Sequence, residues 1–391
     1  MIYIIIFILL FIPVVKYDWL AKSGGENTWY YFSLLVLVLF AGLRYRVGGD
    51  TMTYMEMFEE IPRLSEYKYF DFFEAAYQPL WYLLSMFSKS ICEDFFCFQL
   101  IHATIVNVSF FSFFRKYCPK YYFSVILLYY FAYFCYFNME VLRESLCISI
   151  LLWATPALLQ KRWFAYYGYC LMGFFVHYSS MIMFIFPILF WLLRKPSWRL
   201  QLLIFVCVFI GVSVVNVIDV MLKVLPISPQ FVELLENYLD SERNIFGILS
   251  QFLSYLPILG LIYLHELNED DIHVPFVPLI LGVVIANTMA MNLSAFDRLI
   301  NYFKPFILVY LVQISYYVLS TKKNVVYQRS YCVLIASLFL FLFNSSRYYT
   351  KDLSDIYPNS RFSDIYCPYH SVLEPVIDEH REKIRENMFY Q

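Results

Sequence analysis

The sequence predicts an all-α polytopic membrane protein of about twelve transmembrane helices plus one half-span. Three observations predict it. Only 15% of the 391 residues are charged, against about a quarter in a soluble domain, so the chain cannot cover a water-facing surface. Apolar runs long enough for membrane helices recur from end to end. The basic connectors between those runs can all be placed on one side.

The first run, Ile2–Val15, has neither a basic leader nor a small-residue cleavage site, and it reads as a retained first span. Further spans are expected at Trp29–Leu43, Phe95–Phe114, Tyr121–Phe137, Leu142–Leu159, Phe164–Val176, Ser179–Leu193, Leu200–Val220 and Phe246–His265. Phe276–Met291, Arg298–Val318 and Tyr331–Phe343 complete the set. Pro79–Ser90 is apolar but too short to cross about 30 Å of hydrocarbon, which makes it a half-span or an interfacial helix. With that choice Arg115–Lys120, Lys161-Arg162, Arg194–Arg199 and Lys322–Arg329 all fall in the cytoplasm. The loops 44–77 and 221–245, the turns Asn138–Val141 and His177-Tyr178, and the tail then face outward. Only the acidic connector His265–His273 falls inside against that pattern, and acidic residues weigh little in the rule. The expected organisation is a transmembrane domain over 1–345 and a polar, Tyr-rich tail over 346–391, whose end (DEHREKIREN) suits a helix.

Composition narrows function as well. A net charge of −2 offers no basic face for nucleic acid. The nine cysteines have no metal-ligand spacing and suit core packing, so no metal and no cofactor is expected. What remains informative is the small set of charges near membrane depth, where a charge is costly.

The densest cluster is Gly42–Tyr54, GLRYRVGGDTMTY, just where an apolar run ends. Arg44 and Arg46 can grip a phosphate bidentately, and Gly48-Gly49 lets backbone N–H groups approach a ligand. Asp50 is a carboxylate that could serve as a base; Tyr45 and Tyr54 complete the loop. Two arginines anchoring a helix end in lipid headgroups is the plainer reading. In FNMEVLRES, Arg143 is three residues from Glu140, which suits either an anion site or a local ion pair. His177, beside Tyr178 in FFVHYSSM, titrates in the range of a general base or simply caps a turn. Asp297-Arg298 opens a span, with Asp297 a possible helix cap. Glu74, in FFEAAYQPLWY, lies among aromatics before the half-span and suits a sugar hydroxyl or an ordinary first-turn acid. Because these charges gather at one face and no internal repeat is visible, an enzyme acting on a lipid diphosphate fits better than a transporter.

The same stretches, in this order, resemble the EpsG-like family of bacterial polysaccharide polymerases. Arg44, Tyr45, Val47, Gly48, Asp50 and Tyr54 fall in register with its signature loop. FFEAAYQPLWYLLS, the Arg143 span start, FFVHYSSMI and the Asp297–Phe303 element follow as further landmarks. Gly49 stands where threonine is common, and the tail beyond Arg347 is longer than the family core needs. The resemblance implies a Wzy-type, O-antigen polymerase-like enzyme with the C-type glycosyltransferase architecture, in the bacterial inner membrane, its site facing the periplasm or exterior. It implies transfer of a growing glycan from undecaprenyl diphosphate to the next lipid-linked repeat unit, in O-antigen, capsule or exopolysaccharide synthesis. The partners implied are the lipid-linked donor and acceptor, the bilayer, and a chain-length regulator. On that basis Arg44, Arg46, Arg143 and Arg298 are expected to bind diphosphate. His177 is expected as base with Asp50 second, and Glu74 as a sugar ligand. An O-antigen ligase or a flippase of lipid-linked glycan are the alternatives.

Overall fold

The computed structural model describes residues 1–72, 75–193, 258–262, 275, 277–290, 297–320 and 325–389. Every regular element among them is helical, and they divide into two compact units, 1–181 with 342–391 and 182–341. Five of the helices are long and apolar enough to cross a membrane.

In the first unit α1 (Ile2–Pro13) widens into a π-helical turn at Val14–Trp19. A carboxylate, Asp18, closes that end by accepting from the Ser124 amide and hydroxyl at 2.6 and 2.7 Å. α2 (Glu26–Gly42) starts at the same end: Tyr122 donates to Glu26 at 2.8 Å, and Arg115 lies over the Tyr30 ring at 4.8 Å. The basic connector after α5 (Phe95–Tyr117) is therefore tied to the start of α2. α5 has 23 residues, about 35 Å at 1.5 Å per residue, and carries the chain from one end of the unit to the other. Its close approach to α2 needs Gly42, where a Cβ would collide with Leu100.

α4 (Pro79–Ile91) has 13 residues, about 20 Å, well short of a crossing. Its first turn is tied to the chain at Phe175 by the Leu80 amide, 2.9 Å. Its last turn is tied to the loop after α2, where Lys89 donates to the Phe58 and Glu59 carbonyls. Proline at its first position supplies the fixed φ that starts a helix.

The expected span Tyr121–Phe137 is instead two helices, α6 (Tyr122–Ala132) and α7 (Phe134–Met139). They break where Tyr133 leaves helical geometry, and a buried amide ties the two pieces to each other and to α5. Asn138 donates to the Phe134 carbonyl at 3.0 Å and to Tyr129 at 2.8 Å, and accepts from Asn107 of α5 at 2.7 Å. α8 (Leu142–Leu159) and α9 (Trp163–Phe174) pack against each other, and α8 also packs on α5.

The second unit contains α10 (Ile182–Leu193), α11 (Val277–Ala290) and α12 (Lys304–Ser320). Gly282 of α11 sits close under Leu189 and Phe303, which fixes α11 against α10 and the turn before α12. The span expected at Arg298–Val318 is interrupted by a 3₁₀ turn at Asn301–Phe303, and the one expected at Ser179–Leu193 opens with a 3₁₀ turn at Tyr178–Met181. α13 (Val325–Tyr349) extends well past the apolar run Tyr331–Phe343, since polar residues continue the helix at both ends. The run Leu200–Val220, the loop 221–245, most of Phe246–His265 and the acidic connector lie outside the described residues. Beyond α13, the 3₁₀ turn Phe362–Ile365 and α14 (Glu379–Phe389) belong to the first unit.

Candidate functional site

The loop after α2 leaves the helix at Leu43 and is met at once by the tail. Tyr45 donates its amide to the His370 carbonyl at 2.8 Å, and Val372 donates to the Leu43 carbonyl at 2.8 Å. Arg44 and Ser371 form an antiparallel bridge. Further along, Gly48 donates to the Ile365 carbonyl at 3.2 Å. This loop, the turn before α8 and the tail thus meet at one end of the first unit.

The glycine pair marks where the loop approaches the turn before α8, and close approach requires glycine at the first of the two. Gly48 has φ of +109°, and a Cβ would strike the Met139 carbonyl. Gly49 lies against the Glu140 side chain, with its virtual Cβ 3.4 Å from Glu140 Cγ. The loop and the α7–α8 turn are consequently in backbone contact, and Thr51 lies 3.0 Å from the Met139 carbonyl.

Arg44 faces inward. Only 1% of it is exposed, and its guanidinium donates to the Val47 carbonyl at 3.1 Å, to the Ala41 carbonyl and to Thr51 at 3.4 Å. Burial pushes it down to about 10, so it remains a cation at neutral pH. Its Nε and Nη1 go to carbonyls that a turning backbone leaves unpaired, so its place is that of a loop-former. Arg46, at a left-handed φ of +52°, sends Nε and Nη2 to the two carboxylate oxygens of Glu382, 2.7 Å each. That bond raises its proton affinity above the ordinary arginine value. The two signature arginines expected on a diphosphate therefore have protein partners.

Arg143 has a different setting. It sits on the second residue of α8, half-buried, with its guanidinium 3.8 Å from the centre of the Tyr77 ring and 5.9 Å from that of Tyr54. Its Nε donates to the Tyr54 hydroxyl at 3.3 Å. Cation–π contact holds the plane of the guanidinium while leaving most of its N–H edge for other acceptors. Tyr54 packs on Trp81, with ring centres 5.0 Å apart. Burial pushes the Tyr54 phenol up to about 12 against the opposing pull of Arg143, and Asp50 acts on it as well. Arg143 and Asp50 thus act with opposite sign on the same phenol. Asp50 precedes α3 (Thr51–Glu60) without capping it through its side chain.

Glu140 stands in the turn before α8. It accepts from Tyr348 at 2.7 and 2.8 Å and from Tyr366. Burial and the Glu140 charge hold the Tyr366 phenol well above its usual range, so it stays protonated as a donor. His177 accepts at Nδ1 from the Ser179 amide at 3.0 Å, with the Ser179 hydroxyl 2.7 Å away. An imidazole that accepts at Nδ1 carries its single proton on Nε2. Its neighbour Tyr178 is 58% exposed. Glu74 lies outside the described residues. Asp297 begins a four-residue helical turn in the second unit, on which Arg298 is exposed.

The sequence reading passed over three groups. His102 of α5 is fully buried, with Nε2 2.9 Å from the Leu142 carbonyl and 3.0 Å from Ser145, and so pins the start of the helix that carries Arg143. Tyr77 supplies the ring beneath Arg143. Glu382 and Tyr366 come from the tail.

A protein-family model matches residues 27–358, most of the chain. The chain belongs to the EpsG family. EpsG-family proteins are polysaccharide polymerase-like, and every signature position read from the loop falls inside the matched region. The match stops before Tyr366 and Glu382, so the tail partners of this EpsG-family loop lie beyond it. No curated protein and no solved structure matches the chain.

Proposed function

We propose that this protein is a membrane glycosyltransferase that polymerises lipid-linked oligosaccharide repeat units at the outer face of the bacterial inner membrane. The growing glycan passes from undecaprenyl diphosphate to the next lipid-linked unit. Family membership supports the polymerase-like role, and the observation that carries the site is Arg143 laid on Tyr77 with its Nε on the Tyr54 hydroxyl, on the helix that Asp50 precedes.

In the reaction an acceptor hydroxyl oxygen bonds to the donor's anomeric carbon while the bond from that carbon to the diphosphate oxygen breaks. Negative charge grows on the departing diphosphate and a proton leaves the hydroxyl. Arg143 is the cation for the first, since its N–H edge meets phosphate oxygens in a fixed plane. The Tyr54 hydroxyl, protonated at neutral pH, adds a donor beside it. Asp50 is the carboxylate for the second. His177, as an Nε2–H donor, orients a sugar or phosphate oxygen instead of removing a proton. Arg44 and Arg46 shape the loop that brings Asp50 and Tyr54 to Arg143.

The test is the glycan chain length made by the deletion host complemented with each variant. Deletion should leave single repeat units at the outer face. Arg143→Ala should do the same at normal protein level, and Arg143→Lys should recover only a small part of the length, because an ammonium lacks the planar fork. A full ladder from Arg143→Ala sinks the site. Loss of even single units from the outer face, with lipid-linked units gathering inside, makes the protein a flippase.

A further inference from the structure

We infer that residues 365–382, beyond the family-matched region, belong to the catalytic unit, and that Arg46 is a positioning residue held by Glu382 and Arg381. This rests on the polymerase reading above. Loop groups Leu43 O, Tyr45 N, Arg46 O and Gly48 N are bonded not to the loop itself but to Val372 N, His370 O, Arg381 Nη1 and Ile365 O. Backbone groups at the end of a span have to find partners, and in this chain the tail supplies them.

The side chains repeat the pattern. Arg381 is 2% exposed and donates to the Arg46 carbonyl at 3.0 Å, the Asp364 carbonyl at 3.3 Å and the Pro368 carbonyl. Its charge is therefore used to tie three segments together. Glu382 takes both forward nitrogens of Arg46, with side chains only 22% and 17% exposed, where a two-bond ionic contact is stronger than at an open surface. One turn on, Arg385 pairs with Glu56 of α3 and approaches Glu382 at 3.9 Å. α14 thereby holds the loop and α3 at once. Arg46 adopts a left-handed backbone that is costly for an L-residue, and these contacts offset it. Asp50 and Tyr54 follow directly on the segment so fixed. Tail contacts thus set where the carboxylate and the phenol stand relative to Arg143.

The experiment uses the full chain in its own membranes and reads two quantities. The first is polymer length. The second is the rate at which a maleimide reaches Met52→Cys, a first-turn position of α3 that is 2% exposed, followed by peptide mass spectrometry. Glu382→Gln should shorten the polymer and speed labelling by about tenfold, the scale expected for losing a hydrogen-bonded charge. Arg46→Glu should do likewise, and Arg46→Glu combined with Glu382→Arg should restore both readings toward wild type. Full-length polymer from Glu382→Gln, whatever its labelling, overturns the inference. So does unchanged labelling, or a combined variant that stays inactive, since Arg46 then acts on substrate itself. Polymer longer than wild type would make Glu382 a competitor of substrate and also overturn it. If the wild-type chain makes no polymer, the polymerase reading falls while labelling still decides whether the tail holds the loop.

Discussion

Two arginines that look alike in the sequence, Arg44 and Arg143, meet opposite surroundings. Arg44 is closed in by carbonyls around its own loop, whereas Arg143 rests on a tyrosine ring and donates to the Tyr54 hydroxyl. Both are flanked by apolar stretches, and sequence shows side chains, not which backbone carbonyls a turn leaves unpaired. That is why the loop was legible as a site and the division of labour within it was not. Single aromatics gave no signal among 36 tyrosines, so Tyr77 could not be picked out. Arg44→Ala is expected to lower the melting temperature of the purified protein, because each buried carbonyl left unbonded costs about 1–3 kcal/mol. Gly48→Ala should be worse, since it adds a collision with the Met139 carbonyl to a φ of +109°. Arg143→Ala, half-buried and stacked on one ring, should leave melting nearly unchanged. A reversed order, Arg143 dominating stability, would exchange the two roles.

Among the helices, α4 decides the topology. Its length was readable because 13 residues cannot span the hydrocarbon, and its tethers to Phe175 and to Phe58–Glu59 agree with a helix that returns to the face it left. The α6–α7 break was not readable: nothing in an unbroken apolar run announces that Asn138 and Asn107 will bond across two helices. The same run of residues at Tyr133 is compatible with a straight helix until its neighbours are known. Ala76→Cys and Ile91→Cys, exposed residues flanking α4, should react with an impermeant maleimide from the same side of sealed vesicles. Reaction from opposite sides would make α4 a full span and invert every helix after it.

Across the whole first unit, three of the segments that charge groups on one side touch one another: the loop after α2, the turn before α8 and the tail. The connector at Arg115 is tied instead to Glu26–Asn27, at the start rather than the end of α2. The polar composition of residues 346–391 suits a solvated extension as well as a packed one, so its return to the signature loop left no mark in the sequence. Labelling should place Glu59→Cys on the exterior and Lys161→Cys, at the connector between α8 and α9, on the cytoplasmic side. The opposite assignment would turn the site to face the cytoplasm and remove a periplasmic polymerase from consideration.

The Arg46–Glu382 contact joins residues 336 positions apart. At about 5–20 residues per second of synthesis, the loop waits tens of seconds for its partner. Through that interval the first spans are already in the bilayer, while the loop's amides and arginines have only water and headgroups to bond. Insertion and maturation are therefore separate events in this chain. A nascent protein can be correctly threaded yet hold an unset loop, and it is the arrival of the tail on the same face that ends its immaturity.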